Sequence, residues 1–190
     1  RKKALEKIQL DEIKASSRKY PYINFDLERE LGNDVIIVDN VCYKDILHNV
    51  RFVLRKGDKI ALIGNNEIAK TTLLNIMSGI DTPTAGEVII HDENLHEMNK
   101  EQQAIFRRQQ IGFIFQDFNL LDSLTIKDNI LLPMILEKKS VDDMERKFTE
   151  LVELFDIQLI ADKYPHEVSG GQKQRAAVCR SLVNEPSIIF

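Results

Sequence analysis

The sequence predicts an α/β fold, and three observations carry that prediction. Short continuous apolar runs at Val35–Val38, Lys59–Ile63 and Ile111–Phe115 suit strands covered on both faces. Segments with helical periodicity alternate with them. A polar loop beginning at Gly64 joins the second apolar run to one of those helices.

In chain order, Arg1–Lys19 reads as a charged helix with seven Lys/Arg and three Asp/Glu, a net charge of +4. It is either a solvated linker or an arm for a phosphate-rich surface. Tyr20-Pro21 ends it, because a residue before proline avoids the α region. The arm is assigned to residues 1–34 and a single folded domain to 35–190. Val35–Val38 is a buried strand, and Ile46–Leu54 alternates as a partly exposed one. Lys56-Gly57-Asp58 is a turn before the Lys59–Ile63 run. Lys70–Ser78 is a helix, with Gly79 as its C′ residue.

Glu87–Ile90 is the next strand. Asn99 and Gln102 then form a capping box that opens a helix to about Gln109. Ile111–Phe115 returns to strand. Ser140 and Asp143 signal another helix start, and Val141, Met144, Phe148, Leu151 and Phe155 follow at three- and four-residue spacings. Gln172–Val183 fits one more helix, Pro186 ends it, and Ser187–Phe190 opens a further buried strand.

Composition limits the function classes. The chain has 190 residues, 43% of them hydrophobic and 29% charged, an ordinary globular balance. The net charge of −4 argues against whole-surface attraction to nucleic acid or anionic lipid. The apolar run Ile130–Leu136 is far too short to cross a bilayer and contains Pro133. With no apolar signal segment at Arg1, the expected location is cytoplasmic. Cys42 and Cys179 are too few for a metal site and read as two core-like thiols.

The loop Gly64-Asn65-Asn66-Glu67-Ile68-Ala69-Lys70-Thr71-Thr72 lies between an expected strand and an expected helix, the context of a phosphate-binding loop. Backbone N–H groups and the helix N-terminus would face phosphate oxygens. Lys70 would reach the β- and γ-phosphates, Thr71 would bind Mg²⁺, and Thr72 would lie close by. Ala69 stands where the motif has glycine. A Glu67 carboxylate about 6 Å from a phosphate charge, at an effective dielectric of about 20, would repel it by roughly 3 kcal/mol. That corresponds to about two decades in affinity. The other reading of the segment is a capped core helix after a strand.

Two further segments carry a resemblance. Val168-Ser169-Gly170-Gly171-Gln172-Lys173-Gln174-Arg175 resembles the signature motif of ATP-binding cassette (ABC) ATPases. Ile111-Gly112-Phe113-Ile114-Phe115-Gln116 resembles their Q-loop strand. Taken alone, Ser169 could be a plain N-cap and Gln116 an ordinary strand-end residue. The order of phosphate loop, Q-loop, signature and final apolar strand favours the family. The resemblance implies a P-loop NTPase fold of the ABC type. It would have an N-terminal β-subdomain, an incomplete parallel core sheet and a helical subdomain at about 117–168.

The resemblance also implies ATP and Mg²⁺ as cofactors. Lys70 and Gln116 would act on the nucleotide, with Thr71 and Gln116 holding the metal. Ser169, Gly170, Gly171 and Gln172 would meet an ATP held by a second nucleotide-binding domain in a head-to-tail dimer. Tyr43 is the candidate for adenine stacking, and the alternative is a surface tyrosine at a strand end. In the family an Asp-Glu pair follows the strand that begins here at Ser187, and a switch histidine comes later. This sequence ends at Phe190, and His48, His91, His96 and His166 all precede that strand. Very slow hydrolysis or none is therefore expected from the chain alone.

The resemblance is of two kinds. Residues 1–79 resemble ABC-F proteins, ribosome-acting ATPases with paired cassettes. Residues 80–190 resemble the ATPase subunit of bacitracin-resistance and lipoprotein-releasing exporters, through Asp81–Gly86, Phe106-Arg107-Arg108, Phe118–Leu121 and Asp128-Asn129-Ile130. The leading expectation is an exporter ATPase subunit with a membrane permease as partner, peripheral at the inner face of the cell membrane. The alternatives are a translation or antibiotic-resistance factor that uses the arm on ribosomal RNA, and a non-catalytic fragment.

Overall fold

A computed structural model describes residues 34–190. The expected arm lies outside the described residues, apart from Asp34. Two layers of structure meet around two apolar cores.

The first core begins with a four-stranded antiparallel sheet. Its strands are β1 (Asp34–Tyr43), β2 (Leu47–Arg55), β3 (Ala85–Ile90) and β4 (Glu93–Asn94), in the order β2-β1-β3-β4. Ile36 pairs with Ile90 and Val38 with Val88, so each pair presents its side chains on one face. All four are buried, beside Ile76 and Met77 of helix α1 (Glu67–Met77). A bulge at Asn40 bends β1, and Asn40 itself has φ 49°. Gly86 lies against it with φ +85°, and a Cβ there would stand 2.3 Å from the Asn40 carbonyl oxygen.

Strands β1 and β3 run longer than the apolar pattern indicated, because ladder bonds continue through polar residues, whereas the expected strand Ile111–Phe115 is regular only over Ile111–Gly112. The Lys59–Ile63 run differs from expectation altogether. It belongs to neither sheet, and Ile60 and Ile63 are exposed, Ile63 at 94%. A strand needs a ladder partner as well as an apolar sequence. Here a cavity separates Ile60 and Leu62 from Ile188 and Ile189.

Helix α2 (Lys100–Gln110) starts at the expected Asn99/Gln102 capping box, with both reciprocal bonds present. Its Arg107 donates to the carbonyl of Gly79 at 2.8 Å. Gly79, at φ +67°, follows Ser78, the C-cap of α1. Strands β5 (Ile111–Gly112) and β6 (Ile188–Ile189) pair in parallel, and Ile114 N–H to Phe190 O extends the pairing.

The second core packs helices α3 (Ile126–Leu136), α4 (Val141–Leu154) and α5 (Gly170–Leu182). Pro133 sits inside α3 without ending it. On α4, Phe148 and Leu151 are buried, with Phe155 at its C-cap, but Val141 is 67% exposed. The first residue of the helix projects beyond the stripe that touches α3. Arg175 of α5 donates to the carbonyls of Phe155 and Asp156, covering the C-terminal end of α4. Cys42 and Cys179 are both free, and burial pushes the Cys179 thiol up to about 12.

Candidate functional site

Helix α1 begins three residues earlier than the sequence suggested. Asn66 is its N-cap, and its Oδ1 accepts from Ala69 N–H at 3.1 Å. Lys70 N–H donates to Asn66 O at 3.2 Å. Asparagine is a strong N-cap, and Glu67 in the first turn favours the positive helix end. The local signal therefore starts the helix at Glu67 rather than Lys70. As a consequence, the amides of Ala69 and Lys70 are both engaged by Asn66 in this structure.

The side chains are arranged differently from the backbone. Glu67, Lys70 and Thr71 from α1 line one cavity of about 830 Å³ together with Gln116. Asp58, Asp117 and Asn119 add polar groups, while Leu62, Leu74 and Phe190 add apolar wall. Lys70 Nζ meets Glu67 Oε1 at 2.5 Å, with the Lys70 side chain 25% exposed and Glu67 79% exposed. A pair on an exposed helical turn is worth about 0.2–0.5 kcal/mol. It is a weak hold on Lys70, and Glu67 has open solvent into which it can turn.

Gln116 is held by its backbone. It and Asp117 are the middle of a turn closed by Phe118 N–H donating to Phe115 O at 3.1 Å. Phe118 and Asn119 follow in the left-handed region, with φ 62° and 46°. Arg180 of α5 donates to the carbonyls of both, at 2.7 Å and 2.5 Å.

Of the remaining expected residues, Tyr43 does not line the cavity. It ends β1, with the Lys44 ammonium 5.1 Å from its ring centroid. Gly64, Asn65 and Ile68 are exposed beside the cavity, and Thr72 is buried on the inner side of α1. Ser169 and Gln172 form a reciprocal capping box at the start of α5, away from the cavity, with Gly170 and Gly171 exposed between them. The sequence reading missed Arg180, Asn129 and the acidic groups at Asp58 and Asp117. For Arg180 a signal existed: a cation inside Val178-Cys179-Arg180-Ser181-Leu182, a stretch otherwise buried or half-buried.

The residues present fit a nucleotide and a divalent cation in their donor chemistry. A lysine, a threonine hydroxyl and a glutamine amide share one cavity. At Gly64, Gly170 and Gly171 a Cβ would meet nothing within 4 Å, and none has a positive φ. Packing does not demand glycine there, whereas close approach by a ligand would.

The comparison with known proteins decides the family. The family model described as ABC transporter matches residues 47–190. The chain belongs to the ABC transporter family. It is 46% identical over 144 residues to the ABC transporter ATP-binding protein YxdL of Bacillus subtilis, covering 76% of this chain and 56% of YxdL. It is 41% identical over 147 residues to the bacitracin export ATP-binding protein BceA of Halalkalibacterium halodurans, covering 77% of this chain and 58% of BceA. The lipoprotein-releasing system ATP-binding protein LolD of Cytophaga hutchinsonii is 38% identical over 146 residues, covering 77% of this chain and 67% of LolD.

The chain thus spans little more than half the length of YxdL and BceA. Among solved structures, the dimeric post-hydrolysis state of the ATP-binding cassette MJ0796, bound to ADP and Pi, superposes with a TM-score of 0.75 at 31% identity. That match covers 81% of this chain and 72% of the other. The fold is accordingly the P-loop α/β fold of the ABC type. Among the described residues, no helix is long and apolar enough to cross a membrane.

Proposed function

We propose that this chain binds ATP with Mg²⁺ as part of the ATP-binding subunit of an ABC exporter for antimicrobial peptides or lipoproteins. The observation that carries the reading is the convergence of Lys70, Thr71 and Gln116, from two separate elements, on one cavity. Lys70 would bind phosphate oxygens once Glu67 turns away. Thr71 and Gln116 would hold the cation, which neutralises phosphate charge when bound. The amides of Ala69 and Lys70 join the phosphate contacts only if the first turn of α1 opens.

Exposed Ser169, Gly170 and Gly171 at the start of α5 suit a phosphate brought by a second nucleotide-binding domain. The dimeric cassette MJ0796 and the export and release proteins among the relatives support a dimer and a membrane permease as partners. Placement would then be cytoplasmic, at the inner face of the membrane. The same relatives favour this reading over action on the ribosome.

Titration with a fluorescent ATP analogue and Mg²⁺ tests it. Saturable binding is expected, lost in Lys70→Ala and competed by unlabelled ATP. Equal binding by the Lys70→Ala chain, or no saturable binding by folded protein, overturns the reading.

A further inference from the structure

We propose that Arg180 is a positioning residue for Gln116, fastening the turn that presents this amide to the cavity; this rests on the ATP and Mg²⁺ reading above. The segment after β5 is tied at three places. Upstream, Ile114 N–H bonds Phe190 O at 2.9 Å, anchoring the chain to β6. Downstream, Leu121 bonds the buried Asn129 of α3 through both its backbone groups. Between them, Arg180 Nη2 reaches Phe118 O at 2.7 Å and Nη1 reaches Asn119 O at 2.5 Å.

Gln116 and Asp117 are the exposed residues between the first and the middle tie. Two consecutive non-glycine residues with positive φ are unfavourable by themselves and need an outside hold. The guanidinium supplies it, because its fixed fork matches two neighbouring carbonyls where one ammonium could not. Among the described residues Arg180 has no carboxylate partner, so its hydrogen-bonding capacity goes to this turn. Arg180 also lies eleven residues beyond Ser169 on one continuous helix, about 16 Å along its axis. The orientation of α5 and the position of the Gln116 turn are thereby set together.

Arg180→Lys and Arg180→Ala, made in the full chain, test this by two measurements. The first is the gain in ATP affinity on adding Mg²⁺, with Gln116→Ala as reference. Arg180→Ala is expected to lose most of that gain, at least fivefold, while affinity without Mg²⁺ stays within twofold of the parent. Arg180→Lys is expected to restore part of it. A full Mg²⁺ gain in Arg180→Ala overturns the proposal.

The second measurement needs no nucleotide. Hydrogen exchange at the Phe118 amide is expected to speed up at least tenfold in Arg180→Lys, with the α3 and α4 amides unchanged. Unchanged exchange at Phe118 overturns the proposal even if Arg180→Ala fails to fold. If the parent chain binds no ATP, the function fails, and the exchange result still judges the clamp.

Discussion

Asn129 holds Leu121 from both sides: its Nδ2 donates to Leu121 O at 3.0 Å, and its Oδ1 accepts from Leu121 N–H at 2.7 Å. The same Nδ2 reaches Leu124 O and Thr125 O, and the residue is completely buried. One side chain on α3 thus replaces the ladder or helix bonds that the Leu121–Thr125 loop does not make. Asn129→Leu keeps the branched shape but leaves the partly buried Leu121 N–H and C=O without these partners. Each such group costs about 1–3 kcal/mol. Urea denaturation should show a loss of about 2–4 kcal/mol in total, and a loss below about 1 kcal/mol would contradict this role.

Gly112 makes the corresponding contact between β5 and α5. A Cβ there would stand 2.6 Å from Ser181 O and 2.9 Å from Pro186 Cγ, so backbone must move to admit it. Gly112→Ala is expected to destabilise the fold by about 1–3 kcal/mol. Gly170→Ala is the contrasting case, since a Cβ there meets nothing within 4 Å. Its stability should be unchanged or raised by up to about 1 kcal/mol. Parallel denaturation curves for the two variants check both signs, and a destabilised Gly170→Ala would show that its glycine serves folding.

These contacts mark how much of the molecule could be read from sequence. Elements with a local signal were legible. Asn99/Gln102, Ser140/Asp143 and the Gly79 terminator each fix a helix end through bonds within four residues. Lys59–Ile63 was not legible, because pairing is decided by which strand lies alongside. The start of α1 was legible in principle, since Asn66 is a strong N-cap, but the lysine-threonine motif drew the boundary to Lys70.

At the site, the residue types at 70, 71 and 116 pointed to a shared cavity. The turn that holds Gln116 did not, because left-handed φ at Phe118 and Asn119 depends on an arginine more than sixty residues later.

Glu67 decides how far this loop departs from a good phosphate site. A carboxylate fixed near phosphate would cost roughly 3 kcal/mol, or about two decades in affinity. The observed Glu67 side chain is 79% exposed and, among the described residues, joined only to Lys70. Turning it into solvent forfeits one exposed ion pair, worth about 0.2–0.5 kcal/mol. Glu67→Gln should therefore tighten ATP binding by less than about fivefold. A gain near a hundredfold in the analogue titration would mean that the carboxylate stays beside the phosphates.

His96 predicts the pH dependence of stability. Both of its ring nitrogens are buried with no hydrogen-bond partner among the described residues, and desolvation lowers its pKa below the usual 6.5. His91 shifts the same way, chiefly by desolvation and against the opposing fields of Asp92 and Glu93. A lowered folded-state pKa means that the unfolded chain binds more protons once pH falls below 6.5. The stability contributed by a neutral His96 is complete above that value and is lost as pH falls through its folded pKa. Denaturant midpoints should hold steady from about pH 8 to 7 and decline from about pH 6.5 downward. In His96→Phe, which has no proton to take up, the decline should be shallower, leaving the His91 part. An equal slope in both proteins would remove His96 from the account and assign the acid sensitivity to other groups.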